Sequence, residues 1–155
     1  FYPSFAGQQR LWKGVLAGSD DKPDVVKVHG TSTPAGDAVE LLSVVDALGE
    51  EGYHISAPKS QFGHMLGGAG SVEFITALLM LKEQKVSPCL NSTNLNPELE
   101  AFQKSSEWTG PLKPLAAYRH LLPQESFSKP INSIVCLNYG FGGTNSALKL
   151  SKYDK

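Results

Sequence analysis

The sequence predicts an α/β fold, and three observations carry that prediction. Two short runs, Val25–Val28 and His54–Ala57, have strand character and alternate with segments of helical apolar spacing. Each run delivers a histidine into glycine-rich residues that favour tight turns and close backbone approach. Near the end of the chain, Asn132–Leu137 reads as a strand, Gly140–Asn145 as a sharp reversal, and Ser146–Leu150 as the alternating return of a hairpin. Strands that alternate with helices and close in a hairpin define the class.

Taken in order, residues 1–22 carry the weakest pattern. Gln8–Leu16 reads as a short helix, with Gly18-Ser19-Asp20-Asp21 and Pro23 as its exit turn. Val25–Val28 then leads to His29 and the stretch Gly30-Thr31-Ser32-Thr33-Pro34-Ala35-Gly36-Asp37. Asp37-x-x-Glu40 has the form of a helix-capping arrangement. Ala38, Leu41, Leu42, Val45 and Leu48 follow on one helical face, and Gly49 or Gly52 ends that helix. His54–Ala57 feeds the loop that holds Lys59 and His64.

From Gly68 to about Glu83 the spacing is helical but apolar nearly all round, the pattern of a helix buried between layers. Its N-terminus directs a partial positive charge toward the His64 loop. Residues 87–130 hold most of the prolines together with Asn91, Asn94 and Asn96, and read as a long irregular excursion. Such excursions carry function or wrap a partner.

Composition narrows the function classes. The chain has 155 residues, 41% hydrophobic and 19% charged, with a net charge of −1, as in a soluble globular domain. No basic cluster is present, and nothing in the charge pattern suggests nucleic acid as a partner. Cys89 and Cys136 lack metal-ligand spacing, so reduced buried thiols are expected rather than a disulfide or a zinc site. Phe74–Leu81, the longest apolar run, is too short to span a bilayer, and no signal-peptide pattern opens the chain. A start at Phe1 without Met suggests a fragment or a processed product.

Two converging imidazoles suit proton transfer, or hydrogen-bond donation to a developing oxyanion. Lys59 is expected to place positive charge near His64 and disfavour protonation of that ring. Glu73, inside the apolar helix, requires a partner, for which Lys59 is the candidate. Thr31 and Thr33 offer hydroxyls to a ligand, and the Gly140–Gly143 reversal offers backbone N–H groups of the kind an oxyanion hole needs. Plainer readings stand beside these. A lone His near a strand end is more often structural; Glu73 has other buried polar groups to choose from; the threonines suit turn backbone equally well. A shared metal lacks a third ligand at useful spacing, and neither phosphate-loop nor dinucleotide spacing is present. His54 and His120 read as surface or structural.

Three stretches together resemble one family. Val28-His29-Gly30-Thr31-Ser32-Thr33-Pro34-x-Gly36-Asp37-x-x-Glu40 is similar to the first histidine motif of the β-ketoacyl-acyl-carrier-protein synthases. Lys59-Ser60-x-x-Gly63-His64-x-x-Gly67-Gly68-Ala69-Gly70-x-x-Glu73 resembles the lysine and second histidine motif, and Asn138–Asn145 the glycine-rich hairpin. Ser32, Gly68 and Asn138 depart from residues more often Gly, Ala and Ser. The resemblance covers the C-terminal half only. It implies the C-terminal half of a thiolase-like fold, a mixed sheet with buried and outer helices, with residues 1–155 as one C-terminal synthase domain.

The resemblance also implies roles. His29 and His64 become the catalytic histidines that stabilise the enolate left by decarboxylation of a malonyl thioester, with Lys59 and Glu73 as the supporting charged pair. Thr31 and Thr33 touch the phosphopantetheine arm of an acyl carrier protein. Phe141 gates the acyl pocket, and the turn at Gly140–Phe141 supplies an oxyanion hole. The activity implied is decarboxylative Claisen condensation in fatty acid or polyketide synthesis, in a cytoplasmic enzyme that is a homodimer when complete. No cofactor bound by this chain and no metal is implied. The family's nucleophilic cysteine belongs to the N-terminal half, and neither Cys89 nor Cys136 has its strand-to-helix context. The isolated chain is therefore expected to be inactive. Two alternatives are a non-catalytic partner similar to a chain-length factor, and a degradative thiolase relative. Retention of both histidines and Lys59 opposes the first, and the two His motifs oppose the second.

Overall fold

In the computed structural model, which describes residues 2–18 and 21–153, a four-stranded mixed sheet separates two unequal layers of helix. The elements run α1 (Phe5–Leu16), β1 (Val25–Lys27), α2 (Pro34–Leu48), β2 (His54–Ser56), α3 (Lys59–Phe62), α4 (Ala69–Glu83), β3 (Lys85–Val86), α5 (Glu98–Gln103), β4 (Phe127–Ser128), β5 (Ser133–Gly140) and β6 (Thr144–Ser151). Strand order is β2-β1-β5-β6. β1 runs parallel to both neighbours, with Val25 opposite His54 and Ile134 and Lys27 opposite Ser56 and Cys136. β6 returns antiparallel to β5. The chain thus has the architecture that a thiolase-like half requires.

Period-two alternation divides the strands between two cores. Val26, Val28, Ile55, Val135 and Leu137 pack in the core that also holds Phe5 and Trp12 of α1 and Leu42 and Val45 of α2. Val25, Ile134 and Cys136 lie in the other, with Ala77 and Met80 of α4. Lys27, two residues after Val25, projects toward α4 as well, and it is fully buried. At the far end, Asp24 Oδ2 accepts the N–H groups of Asn132 at 2.7 Å and Ser133 at 3.1 Å, fixing the start of β5 beside β1.

Several expectations shift. α2 begins at Pro34 with Thr33 at its N-cap, so Asp37 stands inside the first turns rather than at the cap. Proline's fixed φ suits the first helical position and starts the helix early. The Asp37 carboxylate instead accepts the Ser32 N–H at 3.1 Å. Gly49 ends the helix at φ 77°. The second histidine loop is not a bare strand-to-helix junction, because α3 and a 3-10 turn at Leu66–Gly68 intervene. Residues 87–130 contain more order than their prolines suggest: α5, a 3-10 segment over Leu115–Leu121, and β4 paired with β3. The proposed exit turn at Gly18–Asp21 includes residues 19 and 20, which lie outside the described residues.

α4, whose pattern reads as a helix buried between layers, buries Ala69, Glu73, Ala77 and Met80 against the rest of this half. Ile75 (55%), Leu78 (41%) and Leu79 (52%) are exposed, an apolar face that none of the described residues covers. No helix among the described residues is long and apolar enough to cross a membrane.

Candidate active site

β1 and β2 end side by side, so the loops that follow them emerge together. The rings of His29 and His64 stand 5.6 Å apart between centroids, edge to face at 89°. Tyr139, near the end of β5, meets His29 at 5.8 Å.

His29 is half-buried and its loop is fastened from two sides. Glu40 of α2 accepts the backbone N–H of His29 at 2.7 Å and that of Gly30 at 2.8 Å. Burial pushes the Glu40 carboxyl up to about 7, and these two hydrogen bonds oppose the shift. From the other side, the Lys59 ammonium donates to the His29 carbonyl at 2.6 Å and stands 3.3 Å from its Nδ1. Burial first, and the Lys59 charge second, bring the His29 pKa down to about 4. The ring is therefore neutral at physiological pH. With Nδ1 accepting from Lys59, its proton sits on Nε2.

His64 is exposed and is held locally. Its Nδ1 accepts the Leu66 N–H at 3.0 Å, a contact made possible by the left-handed backbone of Leu66 at φ 48°. In the neutral ring the proton again falls on Nε2. Lys59 was expected beside His64, but it faces His29: α3 turns its side chain inward, against the buried end of β1.

Beneath the histidines lies a buried charge cluster. Glu73 of α4 accepts from Lys59 on Oε1, and on Oε2 from Lys27 at 2.5 Å and from Asn138 Nδ2 at 2.9 Å. Burial alone would raise the Glu73 carboxyl, but the two ammoniums and the amide outweigh it and hold it below the usual carboxylate range. Lys27 is a member of the site that lies outside all three motifs, and Asn138, the first residue of the hairpin motif, joins it without a role assigned from sequence. A lysine inside a β-branched run was the available signal, since an inward charge must have a partner.

The remaining candidates are more open. The Thr31 and Thr33 hydroxyls lie 3.4 Å apart at the head of α2. A Cβ at Gly36 would come within 2.3 Å of the Thr33 Oγ1, so this turn accepts glycine alone without rearrangement. A cleft of about 610 Å³ runs past Thr31, Lys59 and His64 to Leu90, Asn94 and Leu95. Gly140 ends β5, and Phe141 is 96% exposed on the turn made by Gly142 and Gly143, at φ 87° and 82°. His54 packs on Phe127 and His120 meets the Glu50 carbonyl, both away from the site. Burial pushes the Cys89 thiol up to about 12 and the Cys136 thiol up to about 11, so neither has nucleophile character.

The sequence profile of the β-ketoacyl synthase C-terminal domain matches residues 1–93. The chain belongs to the β-ketoacyl synthase family. Among its relatives, 3-oxoacyl-[acyl-carrier-protein] synthase 1 of Haemophilus influenzae is 32% identical over 152 residues, 98% of this chain and 33% of the relative. Synthase 2 of Vibrio harveyi is 38% identical over 130 residues, 82% of this chain and 27% of the relative. A crystallised β-ketoacyl synthase from Burkholderia phymatum superposes with a TM-score of 0.78 at 27% identity, over 98% of this chain and 34% of the other. The ishigamide ketosynthase/chain length factor shares the fold, with a TM-score of 0.80 at 23% identity, over 99% of this chain and 34% of the other. The chain spans about a third of the length of the synthases it matches.

Proposed function

We propose that residues 1–155 form the histidine-bearing C-terminal domain of a condensing enzyme that joins an acyl thioester to a malonyl thioester, with loss of carbon dioxide, in fatty acid or polyketide synthesis. One observation carries the reading. Two imidazoles lie edge to face at 5.6 Å, each with Nδ1 engaged, so that each offers an Nε2–H donor. Such a pair suits an enolate oxygen.

In this mechanism the malonyl carboxylate leaves as carbon dioxide and its bonding electrons move onto the thioester oxygen. The Nε2–H groups of His29 and His64 stabilise the resulting enolate. A neutral donor is the right species for His29, because an imidazolium would hand over its proton and quench the carbanion. The enolate carbon then attacks an acyl group carried on a cysteine, and the tetrahedral oxyanion is held by backbone N–H at the Phe141 turn. Collapse expels the cysteine thiolate. With Cys89 and Cys136 both buried thiols of raised pKa, that cysteine is supplied by an N-terminal half. The open α4 face of Ile75, Leu78 and Leu79 receives that half. Thr31 and Thr33 line the approach of a phosphopantetheine arm from an acyl carrier protein, and the complete enzyme is a homodimer.

The test separates the two half-reactions. In the complete enzyme, His64→Ala is expected to lower malonyl decarboxylation by about a hundred- to a thousand-fold while acylation by the starter thioester persists. Normal decarboxylation with failed acylation would overturn the assignment.

A further inference from the structure

Lys27 is the one charged residue in β1, and its burial is complete. Its Nζ faces three oxygens: Glu73 Oε2 at 2.5 Å, the Leu137 carbonyl at 2.6 Å and Asn138 Oδ1 at 3.1 Å. Three donors on an ammonium match three acceptors. A neutral amine would turn its lone pair against one of them, so the cage selects the charged form. Burial pulls the Lys27 pKa down, and the contact with Glu73 opposes it.

Glu73 already has Lys59 as a counter-ion, so charge balance gives no reason to bury a second cation beside it. The geometry gives one. Two of the three Lys27 acceptors, Leu137 and Asn138, belong to the end of β5, separated from Gly140 and Phe141 only by Tyr139. The Asn138 amide closes the cage by donating Nδ2 to the same Glu73 oxygen. Lys59, on the other carboxylate oxygen, reaches the His29 carbonyl and ring. A single carboxylate thus joins the histidine loop to the hairpin, and Lys27 is the arm on the hairpin side.

We propose that Lys27 is a positioning residue for the Gly140–Phe141 turn: its ammonium fastens the end of β5 to Glu73, and so sets where the turn's backbone N–H groups stand relative to His29. The role of that turn as an oxyanion hole rests on the reading under Proposed function; the fastening does not. If Lys27 merely filled space, an apolar side chain of similar length would be tolerated or even stabilising.

Two variants of the complete enzyme test this, Lys27→Met and Asn138→Ala, the second removing part of the cage at a half-buried position. Hydrogen–deuterium exchange is expected to quicken about tenfold or more across residues 138–144 in Lys27→Met, as loss of a charge-assisted hydrogen bond implies, and less in Asn138→Ala, with α2 unchanged in both. Starter acylation should fall about tenfold, and malonyl decarboxylation less. Unchanged exchange over 138–144 in both variants overturns the proposal. So does an equal loss of the two half-reactions, the signature of general destabilisation. If Lys27→Met does not fold, Asn138→Ala decides by itself. If the unmodified enzyme performs neither half-reaction, the functional reading fails, while the exchange measurement still decides for or against the fastening.

Discussion

His29 and His64 end loops of similar composition, yet they are held by different means. His29 is half-buried, tied through its backbone to Glu40 and through its carbonyl and ring to Lys59. His64 is exposed and is oriented by the N–H of Leu66, two residues away. The protonation of the first ring is governed by burial first and then by charges on other elements, Lys59 foremost, whereas the orientation of the second is governed by a local backbone conformation. Changes distant in sequence therefore tune His29 and leave His64 largely untouched.

The largest effect should come from the centre of the network. Glu73→Ala leaves two buried ammoniums without their carboxylate, and is expected to cost about 3–5 kcal/mol in denaturant unfolding. A loss below about 1 kcal/mol would mean that the network does not hold the His29 side together.

Next is Lys59→Met. The His29 pKa, about 4 in the intact protein, should rise toward the ordinary 6.5 without reaching it, because burial remains. NMR of the His29 imidazole Cε1–H signal reads the change. A His29 pKa that stays at about 4 in the variant would sink the comparison. The linkage has a definite sign. A histidine with a depressed folded pKa lets the unfolded chain bind the extra proton, so its contribution to stability is lost as pH falls from 6.5 toward 4. Lys59→Met narrows that window.

The smallest effect is expected at Glu40. Its folded pKa is raised from 4.5 to about 7, so the folded state binds the extra proton and stability falls as pH rises through that interval. Glu40→Gln should abolish this slope, which opposes that of His29, and cost about 1 kcal/mol for the backbone N–H left facing the amide. Thermal midpoints measured from pH 4 to 8 give both quantities. A slope that survives the substitution places its origin elsewhere.

The parts of the fold written in local pattern were legible. Val25–Val28 and His54–Ala57 correspond to parallel strands one residue shorter, and the hairpin appears where its glycines put it. The apolar face of Leu42, Val45 and Leu48 packs as its spacing required. Pairings between distant residues were harder to read. Glu73 with Lys59 was accessible because an inward carboxylate demands a cation and one stood nearby. Lys27 with Leu137 and Asn138 depends on β1 lying beside β5, which no local period encodes. The same gap explains Lys59, which sequence proximity sets beside His64 and the fold sets against His29. On α4, the sequence does not distinguish apolar residues covered by this chain from those left for another surface.

The position of β1 between β2 and β5 has a consequence for how the chain is made. Lys27 and Leu137 are 110 positions apart, so 110 further residues must be made after Lys27 before β1 can acquire its second neighbour. Until then one edge of β1 has no strand of the finished sheet to pair with, and a free edge is the kind of surface that recruits strands from other chains. Val25, Val26 and Val28 would favour such pairing. A charge at Lys27 is the kind of interruption that disfavours such pairing while the sheet is unfinished.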